Sequence, residues 1–123
     1  MKFLNTKFHG IIDYLAAIGL IVGPLVLFPA GTASLVTAIP IVAGIALIAY
    51  SLITDYSASA RRIIPFSLHL AIDLMAGTAF VALSFLLGLT GITQTFYLVM
   101  GVAVIAVVLV SENEEAQTTL AAA

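Results

Sequence analysis

Residues 9–13 read His9-Gly10-Ile11-Ile12-Asp13, and residues 69–73 read His69-Leu70-Ala71-Ile72-Asp73. Each His–Asp pair has i,i+4 spacing, which puts both side chains on one face of a helix. Both pairs sit in otherwise apolar sequence, where an ionisable group is costly and faces a partner, water or a site. The chain has only two His and three Asp, so the return of both at an offset of sixty marks a duplicated unit that includes the pair.

The same offset aligns further residues. Ile12, Ala16, Leu27 and Gly31 match Ile72, Ala76, Leu87 and Gly91. Val42, Ala43, Ile45, Ala46 and Ser51 match Val102, Ala103, Ile105, Ala106 and Ser111. Repeat one covers about 7–57 and repeat two about 66–115, in one domain spanning 1–123.

The composition is 63% hydrophobic and 8% charged, with mean hydropathy +1.24. So few charges cannot cover the surface of a water-soluble domain of this size. Four stretches approach the roughly 20 apolar residues that span a bilayer core: 9–28, 35–54, 66–89 and 95–110. Backbone groups in lipid must be paired within each segment, so these are helices. The predicted fold is all-α: an integral membrane four-helix bundle made of two tandem two-helix repeats. Two spans per unit bring both units in from the same side, in parallel orientation.

All four Lys and Arg lie on one side of this layout. Lys2 and Lys7 precede the first helix, and Arg61 and Arg62 fall between the second and third. Positive charge stays in the cytoplasm. The expectation is therefore a multi-pass protein of the cell (inner) membrane with both termini cytoplasmic. The tail 112–123 carries Glu112, Glu114 and Glu115. A cleaved signal peptide is not expected, because His9 and Asp13 would interrupt its apolar region and the first segment has a partner later in the chain.

Pro24 and Pro40 fall inside predicted helices, where either can introduce a kink. Gly19 and Gly23 form a GxxxG pattern, and Gly44 and Gly77 add small surfaces, with Ala16 and Gly101. Close packing of helices in lipid depends on such residues. The GxxxG serves either packing within the chain or a dimer.

Three stretches carry a family resemblance: His9-Gly10-Ile11-Ile12-Asp13-Tyr14, Tyr50-Ser51-Leu52-Ile53-Thr54-Asp55-Tyr56, and Pro65 through His69 to Asp73. With them the chain, from about Lys7 to Val110, resembles the SPW-repeat proteins, small prokaryotic membrane proteins whose repeat is two transmembrane helices. Its naming Ser-Pro-Trp motif is largely lost here. Gly23-Pro24-Leu25 keeps the proline of the first copy, Leu83-Ser84-Phe85 keeps an aromatic at the second, and the chain has no Trp. The resemblance implies the fold. It implies no activity, since none is assigned to the family.

The candidate functional residues are the polar ones at the cytoplasmic face: His9, Asp13, His69 and Asp73, with Asp55, Arg61 and Arg62 nearby in sequence. As a structural network they bond one another and fix helix register, with Tyr14, Tyr50 and Tyr56 as interfacial aromatics. As ligands, two His and two Asp suit zinc or another divalent ion, or the two His a haem. As a relay they would serve a small ion or proton transporter acting as an oligomer. The structural reading comes first, as a structural or accessory protein in the lipid bilayer, in a homo-oligomer or a larger membrane complex. No cofactor is specified. A net charge of −2 without a basic stripe gives no nucleic-acid partner. The absence of cysteine excludes disulfides and thiolate sites. No enzymatic activity is evident, because a His–Asp pair alone does not define a catalytic site.

Overall fold

The computed structural model describes residues 5–54 and 63–111. Four helices follow in order: α1 (Thr6–Leu27), α2 (Ser34–Ser51), α3 (Phe66–Leu86) and α4 (Gly91–Val110). All four are long and apolar enough to cross a membrane. α1 packs closely on α2 and α3 on α4, giving two hairpins; contact between the hairpins is sparser. Thr54 and Ile64 form an isolated β-bridge, which draws together the two ends of the connection between the hairpins.

Several boundaries differ from the sequence reading, for local reasons. α1 starts at Thr6 rather than residue 9, because the Asn5 side chain accepts the Phe8 N–H at 3.0 Å and caps the helix. α3 starts at Phe66, so Asp13 and Asp73 each lie seven residues inside their helices, about 10 Å along the axis. α3 stops at Leu86 instead of 89. Gly88 adopts φ 64°, and the N–H groups of Leu87 and Gly88 bond Leu83 O and Phe85 O, a left-handed helix ending that favours glycine. α4 begins at Gly91, four residues before the predicted 95, and its polar first turn is absorbed into the helix. There the Thr93 and Thr95 hydroxyls bond the carbonyls of Thr90 and Gly91. α2 ends at Ser51 rather than 54, and Thr54 enters the bridge.

The bundle is apolar outside and polar at points inside. Val26, Met75 and Leu86 are 72%, 72% and 80% exposed, whereas His9 and His69 are 0% exposed. That is the reverse of a water-soluble protein and fits a surface solvated by lipid. Buried on α1 are His9, Gly10, Asp13, Ala17, Leu20 and Pro24, and on α3 Phe66, His69, Asp73, Gly77, Phe80 and Ser84. Apart from Gly10 and Phe66, the two stripes match position by position at the offset of sixty.

The second helices obey a different offset. α2 starts at Ser34 and α4 at Gly91, fifty-seven residues apart. The buried positions Val36, Pro40 and Gly44 correspond likewise to Thr93, Tyr97 and Gly101. The identities that align 42–46 with 102–106 come largely from outward-facing residues; Val42 and Val102 are 63% and 56% exposed. Apolar identity on a lipid-facing surface carries little register information, and packing sets α4 three residues earlier.

Small residues sit where helices approach most closely. A Cβ on Gly101 would stand 2.7 Å from Gly77 O, and one on Gly77 would stand 3.0 Å from Gly101 O, so the two mark the α3–α4 crossing. Gly44 meets Ala17 O at 2.9 Å by the same measure and marks the α1–α2 crossing. Gly23 lies against the Phe96 ring of α4, and Gly19 has Met100 at 3.9 Å. The GxxxG face thus packs within the chain. Pro24 and Pro40 are both accommodated inside continuous, buried helix faces.

Candidate functional site

His9 and Asp13 on α1 meet His69 and Asp73 on α3 between the two hairpins. The Asp73 Oδ2 atom is 3.1 Å from His9 Nε2 and 3.1 Å from His69 Nε2. Asp13 Oδ2 is 2.7 Å from His69 Nε2 and 3.2 Å from His9 Nε2. Two nitrogens and two oxygens therefore alternate around one small ring. One donor atom from each residue lies within 4.8 Å of every other, and all four residues are buried. The i,i+4 spacing places each pair on one helix face, and the matching stripes of α1 and α3 turn those faces toward each other.

The outer nitrogen of each imidazole is held by a hydroxyl. His69 Nδ1 is 2.7 Å from Thr54 Oγ1, and His9 Nδ1 is 2.6 Å from Ser111 Oγ. Each hydroxyl has one proton, and each gives it to a carbonyl four residues back: Thr54 to Tyr50 O at 2.6 Å, Ser111 to Val107 O at 2.5 Å. The imidazoles must then be the donors, so both Nδ1 atoms carry hydrogen. Both Nε2 atoms are left facing the carboxylates. Asp73 also accepts a hydrogen bond from the Tyr50 hydroxyl on its other oxygen.

Aromatic rings close the site. Phe66, itself buried, meets His9 edge-on with ring centroids 5.0 Å apart, and Tyr50 lies 4.8 Å from His69. The two imidazoles are 5.3 Å apart, edge to face. A haem would need the space between them, which the two carboxylate oxygens fill.

Below the quartet a partly open cavity of about 90 Å³ lies among the four helices. Asp13 and Asp73 line one end, and small residues such as Ala16, Ala43, Ala76 and Gly77 line the middle. Past Leu20 and Phe80 an aromatic plug begins. Phe80 packs on Tyr97 at 5.1 Å and Phe28 on Phe96 at 5.2 Å, and the Tyr97 hydroxyl bonds Val36 O at 2.7 Å. Among the described residues, ionisable side chains gather at one end of the bundle and the other end is sealed.

Of the candidate residues, the structure brings together His9, Asp13, His69 and Asp73. Asp55, Arg61 and Arg62 lie outside the described residues, as do Tyr56 and the acidic tail. Sequence reasoning missed Thr54 and Ser111 as partners of the imidazoles and placed Tyr50 in an interfacial belt. The offset of sixty pairs Ser111 with Ser51, but Ser51 is fully buried with its hydroxyl unbonded. The true counterpart is Thr54, fifty-seven residues before Ser111 and bonded in the same way. The Gly44–Gly101 correspondence carries that register and was available in the sequence. No family model, curated protein or solved structure matches the chain.

Proposed function

We propose that the chain is a structural or accessory protein of the cell membrane, in which the His/Asp quartet is a clasp joining two helical hairpins. One observation carries this reading: each imidazole is bonded on both sides by the opposite hairpin. His9 of the first hairpin meets Asp73 and Ser111 of the second, and His69 of the second meets Asp13 and Thr54 of the first. Lipid offers little hydrophobic drive for one helix pair to stay against another, so packing and interhelical hydrogen bonds must do it. Contact between the hairpins is sparse, and among the described residues the quartet links them at one end while the Tyr97 hydroxyl on Val36 O links them at the other.

The distribution of Lys and Arg supports placing this end of the bundle at the cytoplasmic face. The aromatic plug and, among the described residues, the lack of Asp, Glu, His, Lys or Arg beyond the quartet weigh against a conducting path through a single copy. The chain fits a divergent, prokaryotic member of the SPW-repeat proteins, with partners that are lipid and a larger membrane assembly or further copies of itself.

The test is thermal unfolding in mild detergent, followed by circular dichroism. His9→Gln and His69→Gln each remove a buried partner while keeping a polar side chain. Each should lower stability by about 3–5 kcal/mol, since breaking a buried ion-pair network leaves an uncompensated group. A melting temperature equal to that of the parent in both variants defeats the clasp.

A further inference from the structure

We infer that the quartet binds one divalent first-row transition-metal ion, of the Zn²⁺ or Mn²⁺ type, through His9 Nε2, His69 Nε2, Asp13 and Asp73. This rests on the clasp reading and names what the clasp closes on.

Both Nδ1–H groups are committed to Ser111 and Thr54, whose own protons go to helix carbonyls. In a neutral imidazole so held, Nε2 carries a lone pair, and here it points at carboxylate oxygens. That arrangement is repulsive unless something positive lies between. Extra protons on both rings would supply it only in part. An Nε2–H points along one line, yet His9 Nε2 has oxygens at 3.1 and 3.2 Å and His69 Nε2 has them at 2.7 and 3.1 Å. Two hydrogens serve two of these four contacts well, whereas one cation at the centre serves all four donor atoms.

Charge balance admits the same ion. Two neutral imidazoles, two carboxylates and one divalent cation sum to zero, which suits a site buried at a membrane. Two imidazolium–carboxylate pairs also sum to zero, so the direction of the Nε2 atoms and the shared contacts, rather than net charge, select the ion.

The outer bonds are those a metal site needs. A ligating His almost always donates its other ring N–H to a fixed acceptor, which sets tautomer and ring orientation. Ser111 and Thr54 do this for the two rings, and Tyr50 does the corresponding work for the Asp73 carboxylate. The donors lie across the junction of the two hairpins, two from each, so a single ion would sit where the repeats meet. Metal–ligand bonds of about 2.0–2.1 Å in a tetrahedral site put ligand atoms roughly 3.3 Å apart. The N–O distances of 2.7–3.2 Å need to open by a few tenths of an ångström, while the wider separations within the quartet, up to 4.8 Å, need to close as the two helices draw in around the ion. Two imidazoles among four donors disfavour Mg²⁺ and Ca²⁺, which take oxygen.

The experiment is metal titration of the intact protein, carrying a tag without histidine, in mild detergent after chelator treatment. Zn²⁺, Mn²⁺ and Mg²⁺ are added separately; bound metal is counted by elemental analysis and stability read by thermal unfolding. The expected result is one equivalent of Zn²⁺ or Mn²⁺ per chain with a raised melting temperature, and no response to Mg²⁺. Asp13→Asn and Asp73→Asn should abolish stoichiometric binding. Should those variants fail to fold, Ser111→Ala and Thr54→Val keep all four ligands and should weaken affinity roughly 10–100-fold. Less than a tenth of an equivalent bound to the folded parent at tens of micromolar metal overturns the inference. So does Zn²⁺ binding that survives unchanged in a folded Asp13→Asn protein. If metal binding fails while His9→Gln and His69→Gln still lower stability, the clasp stands and is closed by protons. If those two variants leave stability unchanged, the clasp reading itself has failed.

Discussion

Ser111 Oγ lies 2.6 Å from His9 Nδ1, so the residue that follows α4 is tied to the first turns of α1. Thr54, the corresponding residue after α2, holds His69 in the same way at 2.7 Å. The two ends of the chain's helical part are thus joined through the pseudo-symmetric centre, and each hairpin supplies the hydroxyl that orients the other's imidazole.

Removing either hydroxyl should cost stability even though neither residue is charged. Ser111→Ala or Thr54→Val leaves a buried imidazole N–H without its acceptor, a loss of about 1–3 kcal/mol. Ser111→Thr retains the hydroxyl and should recover most of that stability. Thermal unfolding of the three variants checks this. Equal melting temperatures for Ser111→Ala and Ser111→Thr, both below the parent, would point to packing rather than the hydrogen bond.

Much of this arrangement was legible before any coordinates. The four helices follow from hydropathy, since lipid leaves a backbone no other way to pair its polar groups. The helical spacing puts His9 with Asp13, and His69 with Asp73, on one face each, but whether the two faces meet was not legible, because apolar helices specify their rotation poorly. The register of α2 against α4 was harder. Val42, Ala43 and Ala46 recur at sixty, and Val42, Gly44 and Ala46 recur at fifty-seven, so apolar identities do not choose between them. Gly44 and Gly101 do choose, because only a residue without a side chain fits where two backbones touch. The hydroxyl partners were hidden by the same ambiguity: Ser51 looks like the counterpart of Ser111 by identity, while Thr54 is its counterpart by position.

The two glycines of the α3–α4 crossing should be intolerant of any side chain. Gly77→Val and Gly101→Val each drive a branched side chain into a facing carbonyl at 3.0 and 2.7 Å. Overpacking of that kind costs about 1–3 kcal/mol, and backbone-to-backbone contact cannot relax by a rotamer change. Gly19→Ala is the control on the same type of residue, because its nearest neighbour is the flexible end of Met100 at 3.9 Å. Thermal unfolding should rank Gly19→Ala close to the parent and both valine variants well below it. A Gly77→Val protein as stable as the parent would show that α3 and α4 do not cross there.

Orientation in the membrane can be read with single cysteines, since the chain has none of its own. Ala33 lies in the short exposed turn before α2, at the end of the bundle away from the quartet. Ile63 is 65% exposed and lies just before α3, at the quartet end. In the sequence Lys2 and Lys7 precede or open α1, and Arg61 and Arg62 precede Ile63, and positive charge is retained in the cytoplasm during insertion. A maleimide that cannot cross the membrane, added to intact cells, should therefore label Ala33→Cys and spare Ile63→Cys, with the pattern reversed in inside-out vesicles. Labelling of Ile63→Cys alone in intact cells would invert the orientation and place the quartet at the outer face. It would then meet metal ions at extracellular rather than buffered cytoplasmic concentrations.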